Sequence, residues 1–172
     1  MALDTTIGGA NADSYPSLAY ALAYHADKGN AAWALATDAN RETAQRRATT
    51  WLDGTYRGNW TGYRVNGRLQ ALDWPRSDVV DIGDYAVDYM TIPPEILRAT
   101  CEAALRELAT PGSLSPDVTD AAIVKSESVG PISVTYRGGG GTAGQRPILT
   151  VIDDILSGLL SVRRGTVNLV RA

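Results

Sequence analysis

One histidine, His25, and one cysteine, Cys101, are all that the chain offers toward imidazole or thiol chemistry. A His-based dyad or a metal cluster would therefore have a single member. His25 shares the i, i+3, i+4, i+7 face of a predicted helix with Leu18, Ala21 and Leu22, which reads as a half-buried structural role. Cys101 falls on the apolar face made by Leu97, Ala104, Leu105 and Leu108, where a thiol behaves as a small hydrophobe. Asp153-Asp154 and Asp78/Asp81/Asp84 carry oxygens suited to Mg²⁺, but adjacent aspartates on a helix diverge by about 100°, and spaced aspartates in a loop read as solvated. The run Gly138–Gly144 lacks the Lys-Ser/Thr of a phosphate cradle and follows a strand pattern, so it reads as a glycine-rich loop. No catalytic residue, metal site or cofactor is assigned, and the chain is not read as an enzyme.

The residues that suggest a function are aromatic and cationic. Arg57 to Met90 is too long and too aromatic for a simple connector, and it holds Trp60, Tyr63, Trp74, Tyr85 and Tyr89. Large rings bury area at low entropy cost and guanidinium forks bind planar acceptors, which is the chemistry of a protein contact surface. Trp60, Tyr63, Arg64, Trp74 and Arg76 are the contact candidates. A second chemistry uses the same side chains: Trp60, Tyr63 and Trp74 with Arg57, Arg64, Arg68 and Arg76 combine rings and cations for stacking on single-stranded nucleic acid. In the plainest reading, Trp74 anchors the loop to the helices and Arg76 pairs with a nearby aspartate.

Composition bounds these readings. A length of 172 residues predicts one domain with a real core and room for extended arms. The net charge of −3 and pI of about 5.1 do not concentrate the positive charge that replaces counterions on phosphate. Of 16 basic residues only Lys28 and Lys125 are Lys; the skew toward Arg suits interfaces and also follows from GC-rich coding. No apolar run approaches the roughly 18–20 residues that span a bilayer, and Met1-Ala2-Leu3-Asp4 opens no secretory pattern. A single cysteine points to a reducing compartment, or to a particle assembled in one.

The elements that position these residues read as mainly α: a bundle of about four helices, a small β-hairpin and an extended C-terminal tail. Residues 1–13 read as an irregular arm. Ser14 and Pro16 open a first helix that closes at Lys28-Gly29-Asn30. A short segment, Ala31–Ala36, presents Trp33 to the bundle. Asp38 or Asn40 opens a second helix to about Tyr56, with Ala44, Ala48, Trp51, Leu52 and Tyr56 inward and Arg41, Glu42, Gln45, Arg46 and Asp53 outward. Ile92-Pro93-Pro94-Glu95 starts a third, to about Ala109. Ile123–Ser128 and Ile132–Arg137 alternate as a hairpin around Val129-Gly130-Pro131, so the body is drawn as 14–160 with its hairpin at about 122–137. Pro147 opens the last helix, about 148–160. Residues 161–172 form a tail whose Arg163, Arg164, Val167, Leu169, Val170 and Arg171 read as a β-prone peptide without a partner, expected to dock elsewhere.

Six pieces, in this order, resemble a known family: Ala31-Ala32-Trp33-Ala34; Arg47-Ala48-Thr49-Thr50-Trp51-Leu52-Asp53 with Tyr56; Leu72-Asp73-Trp74-Pro75-Arg76; Ile92-Pro93-Pro94-Glu95-Ile96 into Ala99-Thr100; Val129-Gly130-Pro131-Ile132; and Leu169-Val170-Arg171-Ala172. Together they make the chain similar to the head–tail adaptor, or connector, proteins of tailed bacteriophages, from about Ser14 onward. The Gly138–Gly144 insertion departs from that pattern. The resemblance implies a ring of twelve copies beneath the portal protein, with the C-terminal tail reaching the portal and loops at the other end receiving a neck, stopper or tail protein. It implies double-stranded DNA passing without sequence-specific binding, no membrane contact, and a place in the virion after synthesis in the host cytoplasm. Some similar sequences carry a DnaT-like single-stranded-DNA-binding label, which keeps a nucleic-acid role in phage replication as the alternative.

Overall fold

A computed structural model describes residues 2–116, 126–129, 132–135 and 149–160. The first helix, α1 (Leu18–Asp27), begins three residues later than Ser14 suggests. Proline disfavours helical backbone in the residue before it, and Ser17 is the cap, accepting the N–H of Tyr20 at 3.2 Å. Gly29, at φ +68°, takes the left-handed turn that ends the helix. The short α2 (Ala31–Leu35) turns Trp33 fully inward.

Helix α3 (Asp38–Tyr56) is capped by Thr37, with Asp38 at the positive end of its dipole. Its expected stripe of Ala44, Ala48, Trp51, Leu52 and Tyr56 is buried, but so are Arg41, Gln45 and Asp53, which the periodicity places outward. The correction has a plain cause: α3 is covered on several sides. Arg41 donates to the carbonyls of Trp33 and Ala34 and so satisfies the open end of α2. Helix α4 (Pro94–Ala109) packs along α3 and is also touched by α1, α2 and α5 (Thr150–Leu156). Its buried residues are Ile96, Ala99, Thr100, Cys101, Ala103, Ala104 and Glu107, so Cys101 and Ala104 of the expected face are in the core while Leu97, Leu105 and Leu108 are half-buried. The last helix stops at Leu156, short of the expected 160, and turns so that Leu159 is buried and Leu160 bridges Trp60.

Two small antiparallel ribbons complete the described fold. In the first, β1 (Tyr63–Arg64) pairs with β2 (Arg76–Ser77), in register Tyr63↔Ser77 and Arg64↔Arg76. In the second, β3 (Ser126–Val129) pairs with β4 (Ile132–Thr135), within the expected hairpin. The fold is therefore mainly α with a small hairpin. The hairpin's turn, Gly138–Gly144 and the tail 161–172 lie outside the described residues.

Candidate functional site

The stretch from 57 to 93 closes on an aromatic and carboxylate hub against the end of α3. Trp51, Tyr56, Trp60 and Trp74 form a chain of rings: Trp51 meets Tyr56 at 6.0 Å, Tyr56 meets Trp60 at 5.7 Å, and Trp60 meets Trp74 edge-on at 5.6 Å. Trp74 is 1% exposed and Trp60 7%, so both rings are spent inside their own chain. The Trp74-Pro75 peptide is cis.

Beside the rings, Tyr15 donates its hydroxyl proton to Asp53 and accepts the Trp74 N–H at 3.2 Å. The other Asp53 oxygen accepts the Asp73 N–H at 3.0 Å. Burial, with Asp73 close by, pushes the Asp53 carboxyl up to about 6, although the hydrogen bond from Tyr15 pulls the other way. Burial first and the Asp53 charge second hold the Tyr15 phenol well above its ordinary value. The buried Asp73 carboxylate is met by Arg57 at 3.0 Å and by Arg64 at 3.9 Å. The expected pairing of Arg76 with an aspartate is thus corrected. Arg76 donates instead to the carbonyls of Thr61 (2.7 Å), Gly62 (2.5 Å) and Asp73 (3.3 Å), pinning the loop by its backbone. Gln70 does the same from inside, donating to the carbonyls of Leu72 and Pro75.

Of the five contact candidates, then, Trp60 and Trp74 are internal, Arg64 and Arg76 are half-buried clasps, and Tyr63 stands 64% exposed. Tyr15, Asp53, Gln70 and Asp73 complete the hub and were not foreseen as such. Asp53 and Asp73 do stand inside two of the quoted motifs, the only signal available. His25 is buried against Trp33, with ring centroids 4.2 Å apart, and hydrogen bonds to Asn30; burial lowers its pKa. Cys101 is buried, its thiol pushed up to about 12 by that burial. Asp153 accepts the Tyr56 hydroxyl, a clasp between α3 and α5.

Around the hub the stretch presents two chemically opposite lobes. Residues 57–72 contain Arg57, Arg64 and Arg68 and no acid; residues 77–97 contain Asp78, Asp81, Asp84, Asp88 and Glu95 and no base. Both lobes expose large apolar side chains: Tyr63, Val65 and Leu69 on the first, Val80, Ile82, Tyr85, Tyr89 and Met90 on the second. The acidic lobe borders a groove of about 430 Å³ lined in part by Ile82, Val87, Pro93, Pro94 and Leu159.

The helical bundle thus carries a clasped aromatic insertion with apolar surface left in water. The whole chain, residues 1–172, matches the family described as "Putative DnaT-like ssDNA binding protein", and the protein belongs to that family. No curated protein and no solved structure matches the chain.

Proposed function

We propose that the protein is a structural adaptor of a tailed phage, without an enzymatic role, that works by docking on other proteins at the head–tail interface of the virion. In this reading copies assemble as a ring under the portal protein, a neck, stopper or tail protein docks from the other side, and DNA passes through. The observation that carries it is the exposed apolar surface of residues 80–90, set among four aspartates with no compensating base. Such a surface repels phosphate while inviting protein, and the rings best suited to stacking on bases are buried. The six ordered motifs add the resemblance to adaptors.

The second reading is single-stranded DNA binding, and the family's description backs it more directly than it backs the adaptor. On the surface it is favoured by Tyr63 beside Arg57, Arg64 and Arg68, one exposed ring among cations. One paired experiment separates the two. Purified full-length protein is titrated with a fluorescent single-stranded oligonucleotide at two salt concentrations, and separately mixed with portal protein for electron microscopy. The adaptor reading expects stacked rings and negligible oligonucleotide affinity. Salt-dependent binding that Tyr63→Ala and Arg68→Glu abolish, with no portal complex, would establish the DNA-binding reading instead.

A further inference from the structure

The two lobes of residues 57–97 are opposite in charge and alike in exposed apolar surface; Arg57 and Arg64 already meet Asp73 of their own molecule, and the charges left for a partner are Arg68 on one lobe and the carboxylates of the other. Among the described residues Arg68 enters no ion pair, and neither do Asp78, Asp81, Asp84, Asp88 and Glu95. Each lobe is nonetheless fixed on the body. The basic lobe is tied to the N-terminal arm, with Asn66 donating to the Gly8 carbonyl at 2.9 Å and Ala71 N–H to that of Gly9 at 3.1 Å. The acidic lobe is tied to the end of α5, Ile82 N–H donating to the Gly158 carbonyl at 2.9 Å, and is cross-linked by Val87 N–H to Val79. Surfaces ordered in advance lose little entropy on docking.

We propose that these lobes are the two halves of one head-to-tail contact between copies of this chain: the lobe bearing Arg57, Arg64 and Arg68 seats on the Tyr85–Asp88 face of the next copy. Other occupants satisfy half of the surface. A nucleic acid suits the cations and is repelled by the aspartates; the Arg-containing segment 161–172 suits the aspartates and leaves the cations idle. A second copy supplies both at once, pairing charges across an apolar centre. Used one at a time, the two halves make a heterologous contact in which every copy retains one free half of each kind and which propagates into a closed ring or an open filament, whereas reciprocal pairing would stop at a two-fold dimer and overturn the proposal. The inference deepens the adaptor reading by naming the contact between copies that such a ring needs, and its test requires no portal.

The test is self-association of the full-length protein by sedimentation velocity across concentration and salt. The wild-type chain is expected to form species larger than a dimer, weakening as salt rises, since screening acts on exposed pairs. Arg68→Glu and Asp88→Arg should each weaken association at least about tenfold, because like charges then face each other, with thermal midpoints unchanged. Mixing the two variants should restore association, since the reversed basic lobe of one meets the reversed acidic lobe of the other. If Asp88→Arg fails to fold, Tyr85→Arg on the same exposed face replaces it. A wild-type chain that stays monomeric, an Arg68→Glu chain that associates normally, or a mixture that stays apart overturns the proposal. So does association lost on deleting 161–172 yet kept in Arg68→Glu, which would give the acidic lobe to the tail. Association as described without portal binding would remove the adaptor reading alone; portal binding by an Arg68→Glu chain that associates like wild type would remove this inference alone.

Discussion

Asp53 sits 4% exposed between a phenol and a backbone N–H, with a second carboxylate, Asp73, one residue from Trp74. Its pKa is raised from an ordinary 3.8 to about 6, so the folded state holds a proton that the unfolded chain has released. The sign follows: the folded state is favoured most below about pH 4, and that contribution fades as pH rises to about 6 and is absent above it. Its size is on the order of 2–3 kcal/mol. Asp53→Asn should flatten this part of the stability–pH profile, read by urea denaturation at several pH values; a profile as steep as wild type between pH 4 and 6 would mean that another group titrates. Tyr15→Phe leaves the Trp74 N–H and one Asp53 oxygen without their buried partner and should cost about 1–3 kcal/mol at neutral pH. None of this was legible beforehand. Spacing shows that Arg and Asp are near in sequence, but Arg57 reaches Asp73 across the fold while Arg76, closer in sequence, turns to carbonyls. Which guanidinium meets which carboxylate depends on the path of the loop, and no periodicity encodes that path.

Helices were read well because their signals are local. The Pro93-Pro94-Glu95 start and the Leu52–Tyr56 end of the long helix stand where dipole, proline and apolar period place them. Helix faces were read less well, since burial of Gln45 and Asp53 depends on neighbours that arrive from elsewhere in the chain. The insertion was recognisable as something more than a linker, and Trp74 as its anchor, but the ribbon that shapes it was not. That ribbon depends on Gly62, at φ +63°, where an added Cβ would lie 2.0 Å from the Ser77 carbonyl oxygen. Gly62→Ala must therefore open the β1–β2 ribbon, whereas Gly58→Ala meets nothing within 4 Å and serves as the control. Thermal melting should show a clear loss for the first and little change for the second. Trp74→Ala removes a ring from the centre of the hub and should cost about 3–5 kcal/mol, a fall in Tm on the order of 10 °C. A Trp74→Ala protein that melts like wild type would mean the hub does not anchor the insertion.

At the scale of the molecule, Trp60 and Trp74, both contact candidates, are satisfied internally, Trp74 as the anchor of the loop, and exposed apolar surface is left at Tyr63, Leu69, Ile82, Tyr85, Tyr89 and Met90 with their flanking charges. A contact surface and a buried anchor use the same residue types, so composition alone does not tell them apart; only the packing of Trp60 and Trp74 does. The adaptor reading makes a distinct demand on the other end of the chain. The body is closed by Leu159 in the core and by the Leu160 bridge to Trp60, both before residue 161. Ending the chain at Leu160 keeps every one of those contacts, so if the tail's partner is the portal the truncated protein should melt within about 2 °C of the full chain. If Val167, Leu169 and Val170 with their neighbouring arginines dock on the portal as an added extended peptide, the same truncation should abolish portal binding. Pull-down of portal protein by full-length and truncated chains, alongside their melting curves, reads both quantities. Loss of binding with an intact melt is the expected result, and undiminished binding would take the tail out of the adaptor mechanism.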